Sequence, residues 1–98
     1  MPTLDQPVIV RSRNQGCVFG LYQWHQGMEV CLKEARQIWS WQGKRLTLID
    51  VATTESKAED IRLSGAIDEI LMLEACSIMP CSDAAAESLA SLPADQPT

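Results

Sequence analysis

Arg36-Gln37-Ile38-Trp39-Ser40-Trp41-Gln42-Gly43 holds two of the three tryptophans of this chain, an arginine just ahead of them and a glycine that lets the backbone turn just after. The stretch alternates. In an extended segment successive side chains point to opposite faces, so Trp39 and Trp41 are expected on one face and Ile38 and Ser40 on the other. Two readings of the indoles stand. Both are core in a domain whose only other aromatics are Phe19, Tyr22 and Trp24, as aromatic pairs usually are. Alternatively, one indole stays at the surface beside Arg36, where the two stack on and charge-pair with a planar anion or a partner's side chain.

Working outward, the flanking segments also alternate. Pro7–Arg13 is rich in β-branched residues and reads as a strand, and Asn14-Gln15-Gly16 is a turn signal. Cys17–Trp24 reads as a second strand, with Val18, Gly20, Tyr22 and Trp24 on one face. Gly20 in its middle predicts a bulge, a sharp bend or a close backbone approach. His25–Met28 is a tight connection into a third strand, Glu29–Lys33, and Glu34-Ala35 an irregular passage before the central stretch. Three such strands form a meander.

Residues 46–52 have no settled period and are expected as a short helix or turn covering one barrel mouth. Residues 53–60 are a loop, and Ile61–Leu63 a brief edge strand. Asp68–Met79 has good helix formers, yet Ile70, Met72, Cys76 and Ile78 alternate and Pro80 favours extended backbone before it. It is expected as one long strand or two meeting near Ala75. Ser82 is then an N-cap for a helix reaching Leu89 or Ala90.

The fold class predicted is mainly β: a small antiparallel meander, bent sheet or partly open barrel with a short C-terminal helix. Its core is expected to include Val8, Val10, Val18, Leu21, Val30, Leu32, Ile38, Ile70, Met72 and Ile78. The organisation is a polar arm at 1–6, one domain at 7–91 and a polar tail at 92–98. At 98 residues and 46% hydrophobic content, the chain builds one modest core.

Composition narrows function. Residues 1–50 carry six basic and four acidic side chains, a net +2; residues 51–98 carry two basic and nine acidic, a net −7. An acidic chain without a dense basic run is a poor candidate for general nucleic-acid binding. No apolar run reaches membrane-spanning length, and the first residues lack the pattern of a signal peptide, so a cytoplasmic protein is expected. Cys17, Cys31, Cys76 and Cys81 match neither a zinc framework nor a redox motif, and His25 is the only histidine. They are expected as reduced thiols, mostly buried, with no metal. A nucleophilic pair of Cys17 or Cys31 with His25 would need both groups in reach and a third to orient them. With no phosphate loop or metalloprotease motif either, the chain reads as non-enzymatic, with no cofactor.

Val8–Arg11, Gly16–Gly20, Glu29–Arg36, Ile38–Gly43, Glu69–Ala75 and Ile78–Ser82 together resemble a family of short, functionally uncharacterised proteins of tailed bacteriophages and prophages. The Ala-Arg-x-Ile-Trp-x-Trp-x-Gly portion, residues 35–43, is its specific part. The resemblance covers most of residues 8–90 and implies a viral origin and a β-rich domain. It supplies no activity.

The function expected is that of a small phage-encoded binding protein, an oligomeric accessory or anti-defence protein that sequesters a host ligand or occupies a host protein. A minor virion or head-associated protein is the alternative. Its partners would be further copies of itself and either an anionic small molecule such as a nucleotide or a host protein. Its place would be the cytoplasm of the infected bacterium or the virion. Arg11, Arg13, Arg36, Trp39 and Trp41 are the candidate contacts, since a symmetric interface can complete a pocket that one small chain cannot.

Overall fold

A computed structural model describes residues 2–41 and 47–94. The expected meander is present: β1 (Pro7–Ser12), β2 (Gly16–Gln26) and β3 (Glu29–Trp41) pair antiparallel in sequence order. Gly16 and Gly27 adopt left-handed backbone, φ 77° and 59°, at the two hairpin turns, where a Cβ would be strained. The third strand does not stop at Lys33 as expected but runs on to Trp41.

What bends this long hairpin is a bulge in the place that Gly20 and Glu34-Ala35 predict. Phe19 pairs with Arg36 but Leu21 pairs with Lys33, so β3 carries one extra residue there, and Glu34 takes up the irregularity at φ 49°. Opposite it, a Cβ on Gly20 would lie 3.0 Å from the Leu32 Cβ and 3.1 Å from the Lys33 carbonyl oxygen. Glycine is needed because the two backbones close up at the bend.

The bend divides β3 between two edge partners. Its C-terminal part pairs with β4 (Ile61–Leu63), and Val30 to Ala35 pair with β5 (Ile67–Met72). The apolar run 68–79 is thus two strands, as the kink near Ala75 suggests, but they go to opposite edges: β6 (Ala75–Pro80) pairs with β1. Only Leu73 and Glu74 join them. In a flat sheet β5 and β6 would lie four strand spacings apart, roughly 19 Å, beyond the reach of that link. The sheet therefore curls, without closing into a barrel.

Polar contacts pin the curl. The Ala75 amide donates to the Met28 carbonyl at 2.8 Å, the Leu73 amide to Gln15 Oε1 at 3.1 Å, and Asn14 Nδ2 to Glu74.

Two cores result, one on each face. Inside the curl lie Val8, Val10, Val18, Tyr22, Val30, Leu32, Ala35 and Met72. On the other face Ile9, Cys17, Phe19, Ile38 and Leu63 meet Leu48, Val51, Ala52 and Leu89 from two helices. The first helix, α1 (Leu48–Thr53), starts at a capping box between Thr47 and Asp50. The second, α2 (Asp83–Ser91), starts at Ser82, whose hydroxyl accepts from the Ala85 amide, as its N-cap position predicts.

Of the predicted core residues, Val8, Val10, Val18, Val30, Leu32, Ile38 and Met72 are buried, while Leu21, Ile70 and Ile78 are half-buried. Ile9 and Phe19, which that list does not name, are buried as well. The helices bury the second face as well, so β1 is apolar on both sides. The N-terminal segment is tied to the sheet, with the Asp5 amide donating to the Tyr22 carbonyl at 2.7 Å and the Tyr22 amide to the Gln6 carbonyl at 2.9 Å. The turn expected at Gly43 lies outside the described residues.

Candidate functional site

Arg36 is not at a strand's start with its head free, as expected, but in the middle of β3 and buried. Ile9, Phe19 and Arg36 form one cross-strand row on the helix-covered face. From there the guanidinium reaches the C-terminus of α2. Its Nε donates to the Ser64 carbonyl at 2.9 Å, and its Nη1 to the carbonyls of Leu89 at 2.9 Å and Leu92 at 2.6 Å. The last carbonyls of a helix have no intrahelical donor, and a cation is favourable at that end of the dipole. Burial lowers the Arg36 pKa from the usual arginine value, yet the carbonyl cage holds the charged form. The guanidinium is thus engaged in fastening α2 to the sheet.

The two indoles do not share a face either. Ile38 pairs with Leu63 but Ser40 with Arg62, so Trp39 is an extra residue on β3, a second bulge that breaks the alternation. Trp41 returns to the helix-covered core and packs there partly buried, while Trp39 is 56% exposed. Trp41→Ala is expected to destabilise the chain by about 2 kcal/mol and Trp39→Ala by less than about 0.5 kcal/mol. Urea unfolding of the two variants distinguishes this from a shared layer, which predicts equal losses.

Arg11 is exposed on β1, in a row with Cys17, and Arg13 is exposed in the β1–β2 turn. Arg36 and Trp41 are committed to the core, whereas Trp39, Arg11 and Arg13 are exposed. The cleft of about 360 Å³ at Arg36 is lined by Arg36 itself, Phe19, Leu21, Ile67 and two acidic residues, Glu34 and Asp68, and two acids against one base disfavour an anionic ligand. A second cleft, about 320 Å³, lies under β5 between Val18, Ala35, Gln37, Ile67 and Ile70. At its edge Gln15 Oε1 accepts from the Leu73 amide and Gln37 Nε2 donates to the Gln15 carbonyl at 3.4 Å.

His25 and Cys31 do not come together as a nucleophilic pair. Trp24 pairs with Cys31 and His25 with Val30, so the imidazole and the Cys31 thiol are on opposite faces. His25 Nδ1 is 2.6 Å from the Tyr22 hydroxyl. All four cysteines are free; Cys17 and Cys31 are buried, whereas Cys76 is exposed. Burial raises the Cys17 thiol and, with help from Glu69, that of Cys31. Burial also pushes Cys81 from 9.0 to about 12.

The Cys81 shift has a definite sign. Its contribution to stability is complete below pH 9.0 and is lost as the pH rises toward about 12. Cys81→Ala should therefore lose less stability than the parent chain across that window, read by urea unfolding at successive pH values. Equal losses would place the thiolate in water. Among the described residues no group of three or more histidine, cysteine or acidic side chains could hold a metal ion, and no helix is long and apolar enough to cross a membrane.

The surface that stands out was missed in the sequence. A third bulge in β2, where Tyr22 pairs with Leu32 but Trp24 with Cys31, turns Trp24 away from Tyr22 and out of the curl. Trp24, Cys31 and Leu71 then form one row across the outer face of β2, β3 and β5. The next row on that face is Leu21, Lys33 and Glu69. Trp24 is 45% exposed, Leu71 43%, and Leu73 and Met28 beside them more so.

A family model matches residues 5–89, almost the whole described fold. The chain belongs to the DUF6948 family. That family is described as a domain of unknown function, and no curated protein or solved structure matches the chain. The DUF6948 match takes in all six strands and all but the last two residues of α2. The curled sheet and its outer face therefore lie within the family domain.

Proposed function

We propose that this DUF6948 chain is a small phage-encoded, non-enzymatic protein that acts as an oligomer by occupying a host protein. The reading rests on the outer face of β2, β3 and β5, where Trp24 and Leu71 share one row and are exposed, with Met28 and Leu73, also exposed, in the segments that follow β2 and β5. Exposed apolar areas, rimmed by charge, mark protein contacts. Of the two modes of action expected from the sequence, occupation of a protein is favoured over sequestration of an anion. Arg36 has its donors on backbone carbonyls, and the cleft beside it is lined by Glu34 and Asp68. Site of action in the infected bacterial cytoplasm goes with that reading.

The test is made on the purified chain. Its solution mass is measured, its heat-released small molecules are examined for nucleobase absorbance, and a retained host protein is re-bound from purified components. An oligomer that re-binds a host protein and releases no nucleotide supports the proposal. A stoichiometric nucleotide instead supports sequestration, and recovery only in assembled virions supports the structural alternative.

A further inference from the structure

The outer face of the bent hairpin has an arrangement that fits a copy of itself. Along β3, Glu29, Cys31 and Lys33 point outward while Val30 and Leu32 point into the curl. Cys31 is 5% exposed, covered in its row by Trp24 on one side and Leu71 on the other. The face thus has an apolar centre, an acid on one side of it and a base on the other. Lys33 and Glu69 are paired in the same row, and both act on the Cys31 thiol, in opposite directions.

We propose that two copies of this chain associate face to face through the outer surface of β2, β3 and β5, about a two-fold axis passing near Cys31. Laid antiparallel on its mate and centred there, β3 places Glu29 over the partner subunit's Lys33 and Lys33 over the partner subunit's Glu29. Trp24, Leu71, Leu73 and Met28 of each copy fill the space between, at the usual sheet-to-sheet distance of about 10 Å. A two-fold contact must be self-complementary, and Glu29 and Lys33, spaced evenly about the apolar centre, meet that condition, with Glu69 a second acid beside Lys33 in its row.

The chain carries a net −5, and Lys33 is the base this face offers, placed between Glu69 of its own chain and the partner subunit's Glu29. The four apolar side chains expose on the order of 400 Å² per copy, the size of the largest apolar patch on a typical monomer, which is often functional. With the Lys33 and Glu69 stems the face approaches the roughly 600 Å² per partner of the smallest standard-size interfaces.

The proposal deepens the oligomeric part of the function proposed above, and its test separates the two. Sedimentation equilibrium of the full chain should give a dimer. Leu71→Glu, at the centre, and Trp24→Ala should each shift it to monomer, with circular dichroism unchanged. Lys33→Glu alone and Glu29→Lys alone should each raise the dissociation constant roughly tenfold. The double variant carrying Glu29→Lys with Lys33→Glu should recover much of that loss, because the swap restores both cross-axis pairs, and fall short of the parent value only by the new repulsion from Glu69 in the same row. A monomeric parent chain overturns this surface and the oligomeric reading together. A parent oligomer indifferent to Leu71→Glu, or a charge swap that fails to recover, overturns the surface alone. Should Leu71→Glu not fold, Trp24→Ala and the charge swap decide.

Discussion

Arg36→Ala is expected to lower the stability of the folded chain by about 3–5 kcal/mol, an effect usual for a core truncation and not for an arginine. The loss has three sources. Ser64, Leu89 and Leu92 lose their donor, and a buried acceptor left unpaired costs about 1–3 kcal/mol. The helix terminus loses its compensating charge. The aliphatic stem also vacates space beside Phe19. Arg36→Lys should recover only part, since one ammonium cannot serve Ser64 and the α2 carbonyls in the planar geometry of the fork. Guanidinium unfolding of the three proteins is the measurement. If Arg36→Ala unfolds at the parent midpoint, the carbonyl contacts are not what holds α2, and the residue is released for a role at the surface.

The second large effect concerns β5. Met72→Ala should cost about 2–5 kcal/mol and Ile70→Ala about 1 kcal/mol, although the two residues sit on the same face of one strand. Met72 is fully buried between Val30 and the rest of the inner core, whereas Ile70 is half-buried at the mouth of the cleft under β5. The cost of truncation follows how completely the vacated volume is enclosed. Equal losses would mean that this cleft is closed in solution. Because Met72 anchors the strand that carries Leu71, Met72→Ala should weaken self-association as well, whereas Ile70→Ala should not.

What the sequence by itself determined is the succession of elements. β-branched alternation in 7–12, turn residues at 14–16 and 27, the run ending at Pro80 and the Ser82 cap each act within a few residues, and each produced the element expected of it. Gly20 and Glu34 together announced the bend, because a residue without a Cβ in mid-strand has few other uses. Facing was another matter. Three bulges, opposite Gly20, near Gln23 and at Trp39, each shift the period-two pattern by one residue, and one shift sends every later side chain to the other face. Alternation alone therefore puts Trp24 on the side of Tyr22 and Trp41 on the side away from Ile38, and the structure has each the other way round.

Only the tertiary structure decided the use of Arg36, since the carbonyls it serves lie 28 to 56 residues further along the chain. It also decided that β5 and β6, adjacent in sequence, pair at opposite edges of the sheet. The outward row of Trp24, Cys31 and Leu71 comes from strands separated by up to 47 positions. No local pattern encodes that row; it exists because the bulged hairpin curls and brings β5 to its edge.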